Sequence, residues 1–324
     1  MPKLTVVVPA YNEAAVLETF HRRLCGVLAT LPHAWDVLYV DDGSQDGTWD
    51  IIGRLSADDP HCGGIKLSRN FGKEAALTAG LDQVDADAAV VIDADLQDPP
   101  ELIPQLVAKW QEGFDVVYAT RSARAGESRL KKFTAAAFYR TMEKMSDTAV
   151  PRDTGDFRLM SRRALDALRQ LRERQRFMKG LFAWIGYRQT AVYYQRDPRQ
   201  AGQTKWNYWR LTQLAIEGIT SFSTAPLKLA TWIGLATALL AFVYGMEVIV
   251  KALLYGNAVH GYPSLMVVIL FLGGIQLLAL GVIGEYLGRN YAESKRRPLY
   301  FIEQQHVPHA TTPTSQPHQA TALD

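Results

Sequence analysis

Ala88-Ala89-Val90-Val91-Ile92-Asp93-Ala94-Asp95-Leu96-Gln97 decides how this 324-residue chain folds. Its first five residues are apolar without alternation, which reads as a strand covered on both faces, as in a parallel sheet. The run stops at two carboxylates separated by one residue. The same grammar recurs on either side. Leu4–Val8 is an apolar run closed by Pro9, and Val37–Val40 is one closed by Asp41-Asp42-Gly43-Ser44. Ile65–Leu67 and Val116–Ala119 read as two further strands. Helical spacing fills the gaps over 13–30, Thr48–Ser56, Lys73–Leu81 and Pro100–Gln111, the last with proline at its start. Strands alternating with helices predict an α/β domain, a mostly parallel sheet with helices on both faces. Ligands of such sheets bind beyond the carboxyl ends of the strands, where both acidic motifs stand.

The last third is of another kind. Leu229–Val250 and Leu265–Leu287 are apolar runs, and about 20 residues suffice to cross a ~30 Å hydrocarbon core as a helix. Arg210 and Lys228 precede the pair, Arg289, Lys295, Arg296 and Arg297 follow it, and the loop between holds one lysine, Lys251. The positive-inside rule then predicts a multi-pass protein of the inner (cytoplasmic) membrane with the first domain and both termini cytoplasmic. Leu4 begins a strand with no basic-then-apolar leader ahead of it, which leads to the same expectation. Two stretches read as basic amphipathic helices lying at the membrane surface. In 128–146, Leu130, Phe133, Phe138 and Met142 share a face flanked by Arg129, Lys132 and Arg140; in 204–224, Leu211, Leu214 and Ile219 follow Trp206 and Trp209. Packing of the same faces onto a protein core is the competing reading. The expected organisation is a catalytic domain over 1–203, an interface helix over 204–224, a two-helix membrane hairpin over 225–289 and a tail over 290–324. The tail, rich in Gln, His, Pro and Thr, is expected to be disordered after about 303.

Composition narrows the chemistry. Two cysteines, Cys25 and Cys62, are too few for a disulfide framework, and no CxxC pair suggests zinc. His306, His309 and His318 are too scattered for a metal site. Net charge is only +2. The basic clusters are explained by lipid or phosphate, so nucleic acid is not expected as a partner. Glycines in the second apolar run, Gly273-Gly274, Gly281 and Gly284, permit close helix contact and hence a homo-oligomer.

Asp93 and Asp95 can share one divalent cation, with Gln97 as a neutral oxygen donor. Mg²⁺ and Mn²⁺ prefer such oxygen ligands and bridge carboxylates to phosphates. A solvated turn capping the next helix is the plain alternative. At Asp41-Asp42 a carboxylate can accept hydrogen bonds from a nucleotide's ribose or base, while Ser44 or Asp46 can cap the following helix.

Taken together, Val7-Val8-Pro9-Ala10-Tyr11-Asn12-Glu13, Val40-Asp41-Asp42-Gly43-Ser44 and Asp93-Ala94-Asp95-Leu96-Gln97-Asp98-Pro99-Pro100 resemble family 2 glycosyltransferases. Ser68-Arg69-Asn70-Phe71-Gly72-Lys73 and Thr154-Gly155-Asp156-Phe157-Arg158 narrow the resemblance to the polyprenyl-phosphate glycosyltransferases, the dolichyl-phosphate mannose synthases and, more closely, the bactoprenol glucosyltransferases. The resemblance implies a GT-A fold, a nucleotide-sugar donor and a polyprenyl phosphate acceptor presented by membrane lipid. Carried over residue by residue, it implies that Pro9, Tyr11, Asn12, Glu13, Asp41, Asp42, Asp93 and Ala94 surround the nucleotide. Asp93, Asp95 and Gln97 would hold the metal, Mg²⁺ or Mn²⁺, and Asp156 would be catalytic. Arg121, Arg129, Lys132, Arg199 and Lys205 would meet phosphates and lipid. The basic loop departs from the family pattern at Thr204, which stands for serine and keeps the hydroxyl.

The function implied is inverting transfer of a sugar, UDP-glucose favoured, to polyprenyl (undecaprenyl) phosphate for cell-envelope glycan modification. A GDP-mannose-dependent mannose synthase is the alternative. A processive polysaccharide synthase would show more spans and a Gln-x-x-Arg-Trp motif, neither of which occurs, and a non-catalytic sensor would not need Asp93, Asp95 and Asp156 together.

Overall fold

The structure is a computed structural model that describes residues 2–121, 154–174, 176, 178–194, 225–255 and 261–308. Its chain forms two compact units, one holding 1–133, 149–205 and 297–324, the other 134–148 and 206–296.

The first unit is built on an eight-stranded sheet of order β7-β5-β6-β4-β1-β2-β3-β8. The strands are β1 (Lys3–Ala10), β2 (Ala34–Asp41), β3 (Cys62–Leu67), β4 (Ala88–Val91), β5 (Val116–Arg121), β6 (Thr154–Ser161), β7 (Gln189–Tyr194) and β8 (Ile302–His306). Val6, Val7, Val8, Val90 and Val91 are each 0% exposed, and burial of such a side chain stabilises by about 1.5–3 kcal/mol. That is why the unbroken apolar runs become the centre of the sheet. Here β1 pairs in parallel with β2 and with β4, with Val6 opposite Val37 on one side and Val90 on the other, and β2 pairs in parallel with β3. Strand order therefore reverses between β1 and β4, and a crevice opens beyond the carboxyl ends at such a switch point.

Helices cover the sheet: α1 (Leu17–Leu28), α2 (Thr48–Asp58), α3 (Lys73–Gln83), α4 (Ile103–Gln111, after a 3₁₀ turn at Pro100–Leu102), α5 (Arg162–Gln170) and α6 (Met178–Trp184). The helix expected over 13–30 begins at Leu17, because residues 14–16 form a turn in which Val16 and Leu17 N–H donate to the Glu13 carbonyl. In α3, six consecutive residues from Ala76 to Leu81 are buried. Gly80 allows this: a Cβ there would fall 2.4 Å from Val7 Cγ1, so only glycine lets α3 lie so close to β1.

Three strands were not expected from the sequence. β6 is antiparallel to both β4 and β5, and β7 is parallel to β5. The third, β8, corrects the expected disorder after about 303: residues 302–306 pair antiparallel with the edge strand β3. Every β8 side chain is exposed, so no apolar pattern announces it. Its order comes from backbone pairing and from Trp49, whose Nε1 donates to Gln304 Oε1 at 2.8 Å and whose ring stacks on His306. Residues 309–324 lie outside the described residues.

In the second unit, α7 (Ala225–Tyr255) and α8 (Tyr262–Ser294) pack against each other. Within them Leu227–Glu247 and Val267–Ser294 are long and apolar enough to cross a membrane. Leu240, Leu253 and Leu278 are 69%, 80% and 73% exposed, which suits lipid, not water, as the surrounding medium. The first run does carry one acid, Glu247, and Lys251 pairs with it one helical turn later. The two expected interface helices, 128–146 and 204–224, lie outside the described residues.

Candidate active site

Four strand ends build a cleft of about 240 Å³ at the switch point. The end of β1 contributes Pro9, Ala10, Tyr11 and Glu13; β2 contributes Asp42; the β3–α3 turn contributes Asn70, Gly72 and Lys73; β4 contributes Asp93, Ala94 and Asp95. Seven residues expected at the nucleotide or metal thus meet in one place, although up to 86 positions separate them in the chain.

Asp42 is fixed by backbone. Its Oδ1 accepts from Phe71 N–H at 2.7 Å and its Oδ2 from Gly72 N–H at 2.9 Å. Burial pushes its carboxyl above the usual range, outweighing those two donors. Gly43 makes the approach possible. It adopts φ +68°, and a Cβ there would fall 2.5 Å from the Arg69 carbonyl carbon, so the β2 end and the β3–α3 turn touch only because residue 43 is glycine.

Asp93 and Asp156 are held differently. Beyond the last β4–β6 pair, Val91 opposite Arg158, the two strands run on to Asp93 and Asp156. Lys73, the first residue of α3, reaches between them and donates to Asp93 Oδ2 at 2.8 Å and to Asp156 Oδ2 at 2.6 Å. Burial alone would raise the Asp156 carboxyl, but the Lys73 ammonium, together with Lys179 and Arg158, outweighs burial and holds Asp156 below the usual range. Asp93 moves the other way, with burial prevailing over Lys73. Lys73 is raised, its two acids overcoming burial. Behind Asp156 stands Arg158, which donates to the backbone carbonyls of Gly155 and Asp156 and lies 3.7 Å from the Phe182 ring centroid. Burial draws the Arg158 guanidinium down to about 10. Glu74 faces the same cluster, its carboxyl pushed up to about 7 by burial and by the charge of Asp156.

Other expected site residues take supporting places. Asn12, in the left-handed region at φ 56°, accepts from Gln45 N–H through Oδ1 while its own N–H donates to Ser44. Asp41 is fully buried and accepts from the Ser44 hydroxyl and N–H. Both brace the cleft wall and neither lines it. Asp46 accepts from Thr48 N–H at 3.0 Å just ahead of α2, whose N-cap position is Gly47, so neither Asp46 nor Ser44 occupies the cap itself. Gln97 is 4% exposed and does not line the cleft; its N–H donates to Asp95 Oδ1, closing a turn around Leu96, which is held at φ 59°. Arg121 ends β5. Arg129, Lys132, Arg199 and Lys205 lie outside the described residues.

The cleft suits a hard cation. Asp93 is a half-buried carboxylate with Oδ1 2.8 Å from Lys73 Nζ, Asp95 stands two residues on in the same wall, and carboxylate oxygens are the donors that Mg²⁺ and Mn²⁺ select. A separate trio, His21, Cys25 and Asp59, has ligand atoms within 4.8 Å of one another and includes no cleft residue. There burial pushes the Cys25 thiol up to about 12, so in this structure it remains a protonated thiol hydrogen-bonded within the trio.

Lys73, Asn70 and Gly72 were not assigned from sequence, although their motif was noticed. The signal was available: Gly72-Lys73 opens a helix just after a strand, the same position in the fold as the two acidic motifs.

The chain matches Glycosyl transferase family 2 over residues 5–169 and the GtrB C-terminal hairpin over residues 225–289. An uncharacterized glycosyltransferase of Synechocystis sp. is 52% identical, covering 93% of this chain and 94% of that protein. The bactoprenol glucosyl transferase of Shigella phage SfV is 48% identical, covering 93% and 98%. Among solved structures, glucosyl-3-phosphoglycerate synthase from Mycobacterium tuberculosis, in complex with Mn²⁺, UDP-glucose and phosphoglyceric acid, overlaps 68% of this chain and 78% of its own with a TM-score of 0.45 at 22% identity. This chain, with its acid-lined cleft at the switch point of a mixed sheet, is a glycosyltransferase and belongs to glycosyl transferase family 2, with a GtrB-type C-terminal hairpin.

Proposed function

We propose that the protein transfers glucose from UDP-glucose to a polyprenyl phosphate, undecaprenyl phosphate in a bacterial membrane, with inversion, giving a β-linked polyprenyl-phosphate sugar for modification of cell-envelope glycans. One observation carries the proposal. A single chain joins a carboxylate-lined cleft at a sheet switch point to two helices of membrane length, as expected where a water-soluble donor meets a lipid acceptor. The bactoprenol glucosyl transferases, at 47–48% identity over 93% of this chain, support the same acceptor class.

In this reading Asp42, Tyr11 and Glu13 receive the nucleoside, and Asp93 and Asp95 hold the cation. Bound there, Mg²⁺ or Mn²⁺ supplies neutralising charge to the departing diphosphate. Lys73 adds positive charge beside it. A phosphomonoester is already mostly dianionic at neutral pH, so the acceptor has little need of a general base. Asp156, kept ionised by Lys73, acts electrostatically, facing the positive charge that develops on the sugar ring as the diphosphate leaves. One displacement without an enzyme nucleophile inverts an α-linked donor to a β-linked product. The catalytic domain and both termini face the cytoplasm of the inner membrane.

The test is a donor panel of UDP-glucose, GDP-mannose and UDP-pentoses with one polyprenyl phosphate, and NMR of the extracted product. The expected result is a β-glucosyl lipid from UDP-glucose. An α-linked product refutes the displacement, and preferential use of GDP-mannose favours the mannose synthase reading.

A further inference from the structure

The strap that leaves α8 and joins the catalytic sheet also touches the turn that holds Asp42. Ser68 N–H donates to the Phe301 carbonyl at 3.0 Å. The Phe301 ring meets Phe71 with centroids 6.3 Å apart and planes tilted by 52°. Arg69 lies 4.1 Å from the Phe71 ring centroid, so Phe71 is pinned by Arg69 and Phe301 together. The backbone N–H of Phe71 is one of the two donors that fix Asp42, and Gly72, the other, lines the cleft. Elsewhere the strap is anchored independently: Tyr300 Oη donates to Asp82 at 2.8 Å, Glu303 pairs with Lys66 at 3.2 Å, and Gln304 accepts from Trp49.

Phe301 is 56% exposed. Its burial therefore contributes little to the core, and its contacts fall on the turn beside the cleft. The strap's other side-chain anchors fall on Trp49 of α2, Asp82 of α3 and Lys66 of β3.

We propose that residues 300–306 are a positioning strap for the donor turn: Phe301, acting through Phe71, holds the two backbone N–H groups that aim Asp42 and so sets affinity for the nucleoside diphosphate of the donor. The proposal rests on the reading above in which Asp42 meets the nucleotide. Phe301 is a positioning residue, since it does not line the cleft. Loosening the turn adds an ordering cost to each binding event and leaves the reacting groups, Asp156 and Lys73, in place.

The experiment uses the full-length protein in lipid nanodiscs and measures UDP affinity by calorimetry and steady-state kinetics with UDP-glucose and undecaprenyl phosphate. Phe301→Ala is expected to weaken UDP binding about tenfold and to raise KM for UDP-glucose by the same factor, with kcat changed less than about threefold. Phe301→Tyr is expected to restore both. Gln304→Ala, which cuts the anchor on Trp49, is expected to lower Tm while UDP affinity stays within about twofold of wild type. UDP affinity unchanged in Phe301→Ala overturns the strap proposal alone. So does a loss in Gln304→Ala equal to that in Phe301→Ala, because the effect would then be general loosening of the sheet edge. Wild-type protein that binds neither UDP nor GDP refutes the donor reading, and the strap proposal falls with it.

Discussion

The two acidic walls of the cleft are held by different means. Asp42 is gripped by two backbone N–H groups from one turn. Asp93 and Asp156 are gripped by one lysine ammonium on a flexible four-carbon stem. Backbone donors cost no side-chain entropy and cannot swing away, so Asp42 is preorganised to recognise one ligand shape. A lysine is a point charge that can re-pair, so Asp93 and Asp156 are preset for charge and can exchange partners when a cation or diphosphate arrives. In the proposed function this difference assigns recognition to one wall and chemistry to the other.

Asp156→Asn should break the chemical wall most severely. It keeps the shape and removes the charge, so kcat should fall about 10³-fold or more while UDP affinity stays within about threefold, read by single-turnover assay and calorimetry. An equal loss of UDP binding would erase the division between the walls. Lys73→Met should come next, lowering kcat by about 10²–10³-fold, the scale of losing one preorganised electrostatic group. Asp42→Asn should do the opposite. Losing the charge that accepts from two N–H groups and is offered to the donor should raise KM for UDP-glucose by about 10–100-fold with a smaller effect on kcat.

The smallest effect concerns stability. Glu74 is pushed up to about 7, so the folded state keeps a proton that the unfolded state releases near the ordinary glutamate value of 4.5. The stability this gives is fully present below 4.5 and is lost as pH rises through 7. Glu74→Gln removes the titrating group, so the fall in Tm between pH 5 and pH 8 should become shallower. An unchanged slope would show that Glu74 is not buried against Asp156 as described here.

Legibility from sequence followed burial. Residues of β1, β2 and β4 are apolar on both faces because helices cover both faces, so their strands and the acids that end them could be read directly. In β6 the first residues, Thr154-Gly155-Asp156, carry no apolar signal, and only Phe157, Leu159 and Met160 further on are buried apolar residues that hold the strand between β4 and β5. Asp156 was therefore found by motif, and its place opposite Asp93 only by register. For β8 the signal is weaker still, since its polar side chains are all exposed and the pairing is made by backbone. Lys73 was missed for a related reason. A lysine opening a helix is ordinarily a solvated charge, and only the convergence of β4 and β6 gives this one two acidic partners. The two helices of membrane-spanning length were plain from length and apolarity, apart from Glu247 and Glu285, each of which pairs with a basic residue one turn on in its own helix.

The account turns on sugar passing from a soluble nucleotide to a lipid phosphate with Asp93 and Asp95 holding a cation. Its most direct test gives full-length protein, in vesicles containing undecaprenyl phosphate, radiolabelled UDP-glucose with and without exhaustive chelation. The account predicts label in a mild-acid-labile lipid extract, lost on chelation, restored by Mn²⁺ or Mg²⁺, and absent with Asp95→Asn. Full-rate transfer after chelation, or label carried only on water-soluble acceptors, would contradict it.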